Sequence, residues 1–127
     1  SKNITYNIDL PTNEEIKLPI NQCLLEWVLE NLSKNAIDAM SGIGTLSLEL
    51  TQDTKRVIID ISDTGKGMPK KQFKKIFEAG YTTKERGWGM GLSLAKRIIE
   101  EYHHGKIFVK QSVIGKGTTF RIILKKG

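Results

Sequence analysis

The sequence has almost no cysteine and no long hydrophobic run. Cys23 is the only cysteine among 127 residues, which excludes an internal disulfide and a zinc site built from several cysteines. Because Cys23 lies in an apolar helical pattern, we expect a buried, inert thiol. No apolar stretch approaches the ~20 residues of a membrane-spanning helix, and the polar start SKNITYNIDL is unlike a signal peptide. These features predict a single domain over residues 1–127 that is cytoplasmic and has no membrane contact of its own.

Positive charge exceeds negative charge, with 20 basic and 14 acidic residues and a net charge of +6. The basic residues concentrate at Lys66, Lys70, Lys71, Lys74, Lys75, Lys84 and Arg86. Few aromatic residues lie among them, so the stacking platforms of a single-strand nucleic-acid groove are missing, and we expect no nucleic-acid partner. A local anion site, such as one for nucleotide phosphates, fits this pattern better. A solvated lysine face on a short helix is the alternative.

Hydrophobic periodicity divides the chain into strands and helices. Alternation predicts strands at residues 4–10, 45–50, 56–61, 106–112 and 118–125. Helical spacing predicts helices at residues 21–40, 70–77 and 92–103. This mixed order, with a hairpin late in the chain, predicts an α+β fold: a two-layer α/β sandwich in which a mixed, mostly antiparallel sheet carries helices on one face.

The ends of the predicted helices carry their own signals. Asn21 is a predicted N-cap, and Ile20 and Leu25 occupy the positions of a hydrophobic staple. The pair Ser41–Gly42 is expected to stop the first long helix, and Gly105 the last one. The buried stripe of the last helix is predicted to be Leu92, Ala95, Ile99 and Tyr102.

Three glycines alternate in GWGMGL, at Gly87, Gly89 and Gly91. The spacing differs from a dinucleotide fingerprint, and a P-loop would need a G-K-[ST] triplet that the sequence lacks. Glycines leave backbone N–H groups bare, and the helix that follows offers its positive end to an anion. The segment therefore predicts phosphate binding without specifying the ligand, and a flexible surface loop is the alternative.

Two further sequence patterns contain candidate ligand-binding residues. Asn31 and Asn35 lie one helical turn apart, which suits oxygen ligands for Mg²⁺, although a pair of surface amides is the alternative. Asp63, Gly65 and Gly67 form a D-x-G-x-G pattern at the end of a strand. Asp-Thr-Gly is common in turns, but a carboxylate at a pocket mouth can also accept a hydrogen bond from the amine of adenine.

Taken in order, these segments resemble the catalytic ATP-binding domain of sensor histidine kinases, in the superfamily that includes gyrase, Hsp90 and MutL. The matching motifs are ENLSKNA at 30–36 (N box), 63–67 (G1 box), Phe77 in IFEAGYTTK (F box), 87–92 (G2 box), and the closing YHHGKI at 102–107 with GKGTTF at 115–120. The resemblance covers essentially the whole chain and implies the Bergerat ATP-binding fold.

The resemblance implies roles for single residues. Asn35 would ligate Mg²⁺, with Asn31 near the phosphates of ATP. Asp63 would bind the adenine amine, supported by Thr118 through a water, while Gly65 and Gly67 shape the adenine slot. The other residues expected at ATP are Asp38, Met68, Phe77, Thr83, Lys84, Arg86, Gly87, Gly89, Met90, Gly91 and Leu92.

The resemblance also implies a mobile ATP lid over residues 70–90. Its glycines would act as a hinge, Phe77 would anchor it on the core, and Lys84 and Arg86 would reach the phosphates. Asp38 stands where many members carry a phosphate-contacting lysine, so this contact would rest more on Lys84 and Arg86. Asn31, Asn35 and Lys84 are then the catalytic candidates.

One position separates the branches of the superfamily. Its ATPases carry a glutamate base four residues before the magnesium-binding asparagine, and here that position is Asn31. Glu30 points about 100° away around the helix. This favours a kinase that transfers the γ-phosphate of ATP to a histidine on a separate dimerisation domain, for relay to a response regulator. The alternatives are a non-enzymatic ATP-dependent interaction module and an anti-sigma-type serine kinase.

Two adjacent histidines, His103 and His104, lie at the end of the last predicted helix. We expect them to have structural roles and not to accept phosphate. The phosphoacceptor domain is expected to lie outside this sequence.

Overall fold

In a computed structural model, residues 3–9, 18–81 and 91–127 are described, and they form a five-stranded sheet. The strands are β1 (Asn3–Asp9), β2 (Ile43–Gln52), β3 (Arg56–Ser62), β4 (Lys106–Val113) and β5 (Gly117–Lys125). Their order is β1-β2-β3-β5-β4. β1 pairs with β2 in parallel, and the other three pairs are antiparallel. The predicted mixed, mostly antiparallel sheet is confirmed.

The helices are α1 (Gln22–Met40) and α2 (Gly91–Arg97), and α2 continues into a π-helical turn at Ile98–Tyr102. α1 buries one residue per turn, because side chains four positions apart lie on the same face of a helix. These residues are Val28, Leu32, Ala36 and Met40. They pack with alternate residues of β3 and β5 in a single core, so one face of the sheet is covered and the predicted two layers are confirmed.

Both ends of α1 are as predicted. The Asn21 side chain accepts a hydrogen bond from the Leu24 N–H at 3.0 Å, which satisfies a backbone group that has no partner inside the helix. At the other end, Ser41 and Gly42 both have positive φ, 54° and 88°, so the chain leaves the helical path there.

The predicted helix at 70–77 is wrong. The chain forms two short 3₁₀ turns instead, Lys70–Gln72 and Lys75–Phe77. The N–H of Phe77 bonds to the carbonyl of Lys74, three residues back. Phe73, Ile76 and Phe77 have helical spacing, but the two 3₁₀ turns already bury Ile76 and Phe77 while the lysines stay in solvent.

The buried thiol predicted for Cys23 is also wrong, because the residue is exposed. Cys23 lies in the first turn of α1 and points away from the face that carries Val28. Apolar neighbours in the sequence therefore did not predict that Cys23 lies on the exposed side of the helix.

The end of the last helix differs from the prediction. His103 N–H bonds to the Ile98 carbonyl, five residues back, at 3.1 Å, which defines a π turn. The wider turn leaves Ile98 in the core and Tyr102 60% exposed, so Tyr102 does not belong to the buried stripe. The left-handed residue is His104 and not Gly105. Gly105 is required for a different reason, since a Cβ there would collide with the Ile123 carbonyl of β5.

His103 joins the two helices, in keeping with the expected structural role. Its Nε2 atom accepts a hydrogen bond from the Asn21 N–H at 3.0 Å, and its Nδ1 atom lies 2.8 Å from the Ile98 carbonyl. Because a carbonyl can only accept, the proton is on Nδ1 and the ring is neutral. The imidazole thus connects the N-terminus of α1 to the π turn.

Replacing His103 by alanine removes both side-chain hydrogen bonds and should lower the free energy of unfolding by about 1–2 kcal/mol, because the Asn21 N–H loses its partner and the Ile98 carbonyl keeps only the backbone N–H of residue 103. Urea denaturation followed by circular dichroism measures the loss. His104→Asn is the matched control: asparagine tolerates positive φ, so its stability should stay within ~0.5 kcal/mol of the parent. Equal stability of the His103→Ala variant and the parent would show that the contacts of His103 between the helices do not contribute to the free energy of unfolding.

Candidate functional site

The site is centred on Asp63, which directly follows β3 and is 8% exposed. Its Oδ1 atom accepts hydrogen bonds from the Gly65 N–H at 2.8 Å and from the Thr118 N–H at 3.3 Å. Its own backbone N–H donates to the Thr118 carbonyl at 2.9 Å. The carboxylate is therefore held on one oxygen by the loop that follows β3 and by the start of β5.

The second oxygen of Asp63, Oδ2, has no hydrogen-bond partner within residues 3–9, 18–81 and 91–127. No fully buried side-chain polar atom in those ranges lacks a partner, so Oδ2 is not fully buried. Burial raises the pKa of the Asp63 carboxyl above its ordinary value, and the hydrogen bonds from Gly65 and Thr118 partly offset this. A ligand that donates a hydrogen bond to Oδ2 would meet a desolvated acceptor held in a fixed position.

Gly65 and Gly67 fold the loop after Asp63 against its neighbours. A Cβ on Gly65 would lie 2.5 Å from the Ala39 carbonyl oxygen, and the Lys66 N–H bonds to the same oxygen at 3.1 Å. Gly67 has φ +68°, and a Cβ there would collide with the Val113 carbonyl. Both glycines are thus required by close contact with α1 and with the β4–β5 hairpin, and these contacts position the loop beside Asp63.

The two asparagines lie on one face of α1, and both are partly buried. A Cβ on Gly91 would lie 2.5 Å from the Asn31 Oδ1 atom, so Asn31 faces the first residue of α2. This contact brings the N-box helix and the last glycine of the triplet together. Glu30 and Asp38 are both exposed on α1.

Phe77 fixes the end of the lysine-rich segment, residues 70–77, to the core. The residue is 8% exposed, and its ring meets Phe120 of β5 edge-on, with ring centroids 6.1 Å apart. Lys96 of α2 places its Nζ atom 5.6 Å from the centroid of the Phe77 ring. Met68 and Leu92 are partly buried and pack against the same core.

Six of the residues predicted to contact ATP lie outside the described residues. They are Thr83, Lys84, Arg86, Gly87, Gly89 and Met90.

The sequence patterns missed two hydroxyl residues of the site. Thr64 accepts a hydrogen bond from the Thr45 N–H at 3.0 Å and ties the loop to the start of β2. Ser112 accepts one from the Met68 N–H at 2.9 Å and lies 2.7 Å from the Thr118 hydroxyl. The G1 pattern places Thr64 in the loop, but no sequence signal identified Ser112, because strict alternation from Val109 puts Gln111 on the site face.

Across the described ranges, no helix is long and apolar enough to cross a membrane.

Comparison with known proteins identifies the family. A family model described as histidine kinase-, DNA gyrase B-, and HSP90-like ATPase matches residues 21–127. Sensor histidine kinase ZraS of Salmonella typhimurium is 46% identical over 101 residues, covering 79% of this chain and 21% of that protein. The curated relatives are longer proteins, and the chain spans between 10% and 23% of their length.

Solved structures agree with the sequence matches. The nucleotide-free catalytic domain of histidine kinase ThkA has a TM-score of 0.85 at 28% identity, covering 97% of this chain and 80% of that one. The crystal structure of ThkA in complex with response regulator protein TrrA matches with a TM-score of 0.82 at 27% identity, covering 98% of this chain and 34% of that one. The predicted resemblance and fold are confirmed, and the chain belongs to the family of histidine kinase-, DNA gyrase B- and HSP90-like ATPases.

Proposed function

We propose that this chain is the catalytic ATP-binding part of a cytoplasmic sensor histidine kinase, which transfers the γ-phosphate of ATP to a histidine on a separate dimerisation domain. The observation that carries the nucleotide part is the buried Asp63 carboxylate, with Oδ1 occupied by two backbone N–H groups and Oδ2 open. The sensor histidine kinases among the relatives support the phosphotransfer part.

The base of ATP would lie against Asp63. The exocyclic amine of adenine is a neutral donor, and a desolvated carboxylate oxygen is a strong acceptor for it. A base with a carbonyl at the same position would bring two acceptors together and lose affinity. Gly65, Gly67 and Thr118 would fix the direction of this carboxylate.

The phosphates would lie along α1, on the face that carries Asn31 and Asn35. Within the described ranges, no group of three or more His, Cys, Asp or Glu residues could hold a metal. An asparagine amide oxygen is nevertheless a fitting donor for Mg²⁺, which binds few protein groups and keeps water and phosphate oxygens as its other ligands. Asn35 would hold the ion, and the bound ion would neutralise phosphate charge.

The side chain at position 31 favours transfer to a protein over hydrolysis. Asn31 faces Gly91 across the site, and its amide cannot take a proton from water. Glu30 is exposed and lies on another side of the helix. The γ-phosphate would therefore remain intact until an acceptor histidine arrives.

The segment at 70–90 would act as the lid over ATP. Phe77, packed edge-on against Phe120, would fix its first half to the core. Lys84 and Arg86 would contact the phosphates, and Thr83, Gly87, Gly89 and Met90 would line the closed site. Asp38 and Leu92 would complete the nucleotide contacts at the ends of α1 and α2.

The acceptor histidine would come from another domain of the full-length kinase. His103 is engaged with Asn21 and Ile98, so its ring nitrogens are occupied structurally. A response regulator would then receive the phosphate, as the complex of the related ThkA with its regulator suggests for this branch of the family.

Replacing Asp63 by asparagine should abolish the preference for adenine while making the domain more stable at pH 7. Burial raises the pKa of Asp63, so its charge disfavours the folded state at neutral pH, and a neutral amide removes that cost. The gain should disappear as the pH falls below the ordinary pKa of an aspartate, because the parent carboxyl is then neutral in both states. Denaturation at several pH values and calorimetric ATP titration measure the two effects.

Asp60, which lies in β3 three residues before Asp63, provides the matched control. The Arg121 guanidinium binds it through two 2.8 Å hydrogen bonds and lowers the pKa of its carboxyl. Asp60→Asn should therefore destabilise the domain at neutral pH, and the loss should vanish as the pH falls through that lowered pKa. ATP binding should be unchanged. Opposite signs for the two variants are expected, and the same sign would contradict the assignment of Asp63.

Replacing Asn35 by alanine should reduce phosphorylation of the cognate dimerisation domain by at least about 100-fold, since the metal and the phosphates lose their anchor. The assay incubates Mg-ATP with both domains and measures acid-labile phosphate on the partner. Lys34→Ala, an exposed neighbour on α1, serves as the control and should retain activity. Acid-stable phosphate on the partner would point to a serine kinase and overturn the proposal.

A further inference from the structure

β4 contains a bulge that changes which residue faces the site. Val109 pairs with Phe120 and Gln111 with Thr119, so Lys110 has no partner in β5. An extra residue in one strand shifts the side-chain alternation by one position. Ser112 therefore lies on the same face as Val109, while Gln111 lines the polar depression on the outer face of the sheet, together with Asp60 and Thr119.

The Ser112 hydroxyl connects three parts of the site. It accepts a hydrogen bond from the Met68 N–H at 2.9 Å, which holds the end of the loop that follows Asp63. It lies 3.2 Å from the Gly117 carbonyl at the tip of the β4–β5 hairpin. It lies 2.7 Å from the Thr118 hydroxyl. One side chain thus links the loop, the hairpin and the residue whose N–H binds Asp63.

One arrangement of protons satisfies all these contacts. Gly117 offers a carbonyl, so Ser112 must donate its single proton there. Met68 can only donate, and the remaining contact is satisfied when Thr118 donates to Ser112. The Thr118 oxygen then keeps its lone pairs for another donor, while the Thr118 N–H binds Asp63.

We propose that Ser112 is a positioning residue for base recognition: it fixes the Thr118 hydroxyl and backbone, and through them the Asp63 carboxylate. This inference rests on the proposed function, in which Asp63 binds adenine. A network of this kind holds its members more firmly than separate pairs would, and loss of one member frees the others to move. Ser112 acts without touching the nucleotide.

The test compares the affinity of ATP with that of inosine triphosphate, which carries a carbonyl in place of the adenine amine. Calorimetric titration of the parent chain should show a clear preference for ATP. In Ser112→Ala the ATP affinity should fall about tenfold, with much less change for inosine triphosphate, so the ratio moves toward one. A purely structural defect would weaken both ligands alike and leave the ratio unchanged.

Three further variants complete the series. Ser112→Thr keeps the hydroxyl and should restore the ratio of the parent. Ser112→Cys keeps the volume but offers only a weak donor and acceptor, so it should behave like Ser112→Ala, and it replaces that variant if alanine prevents folding. Gln111→Ala, on the opposite face of the same bulge, should leave both affinities unchanged.

The failures of the two proposals are distinguishable. If the parent chain bound neither nucleotide, or bound both equally, the role of Asp63 would be wrong. If the parent preferred ATP and Ser112→Ala or Ser112→Cys kept the same ratio, the site would stand and the role of Ser112 would be rejected.

Discussion

The proposed nucleotide site depends on one desolvated carboxylate. Burial of Asp63 is unfavourable for its charged form, and two backbone N–H groups offset part of that cost. Each donor requires a separate feature of the fold. Because Gly65 has no side chain, it can pack against Ala39 and donate its N–H to Asp63. The Thr118 N–H reaches Asp63 because β5 pairs with β3 next to this residue. The loop, the end of α1 and the register of the sheet are therefore all needed to hold this charge.

Asp60 and Asp63 carry the same side chain, but their surroundings give Asp60 a structural role and leave Asp63 able to bind a ligand. Asp60 faces the outer side of the sheet, where Arg121 and Lys110 supply full positive charges. From the described part of the chain, Asp63 receives neutral N–H donors alone, and both bind one of its two oxygens. A carboxylate paired with a guanidinium has little left to offer a ligand, whereas one held only by amides still gains from an additional donor.

Much of the fold was predictable because it follows from local signals. Asn21 and the Ser41–Gly42 pair mark helix ends through backbone chemistry that neighbours cannot easily override. Alternation identified the strands, and ordered motifs identified the family. The hydrogen bonds of Asp63 are compatible with the predicted role in binding adenine. Gly65 and Gly67, which were expected to shape the adenine slot, are in close contact with α1 and with the β4–β5 hairpin.

The remaining features were not predictable because tertiary contacts decide them. The π turn ends at His103, whose ring contacts Asn21, a residue distant in sequence. The exposure of Cys23 depends on which side of α1 the sheet covers. Because of the bulge at Lys110, Ser112 and not Gln111 lies on the face of β4 that borders the site. The alternating sequence pattern does not indicate the extra residue.

The parallel pairing of β1 with β2 has a consequence for the order in which the molecule loosens. Asn3 pairs with Ile43, so this contact closes a long loop that includes all of α1, whereas β3 and β5 each also pair with a hairpin partner across a short turn. β1 is also an edge strand, and most of its side chains are exposed. Local opening should therefore begin at β1, whose amide hydrogens would exchange ahead of those in β3 and β5. Such an opening leaves every contact of Asp63 in place, so the edge of the sheet can fray without cost to the site.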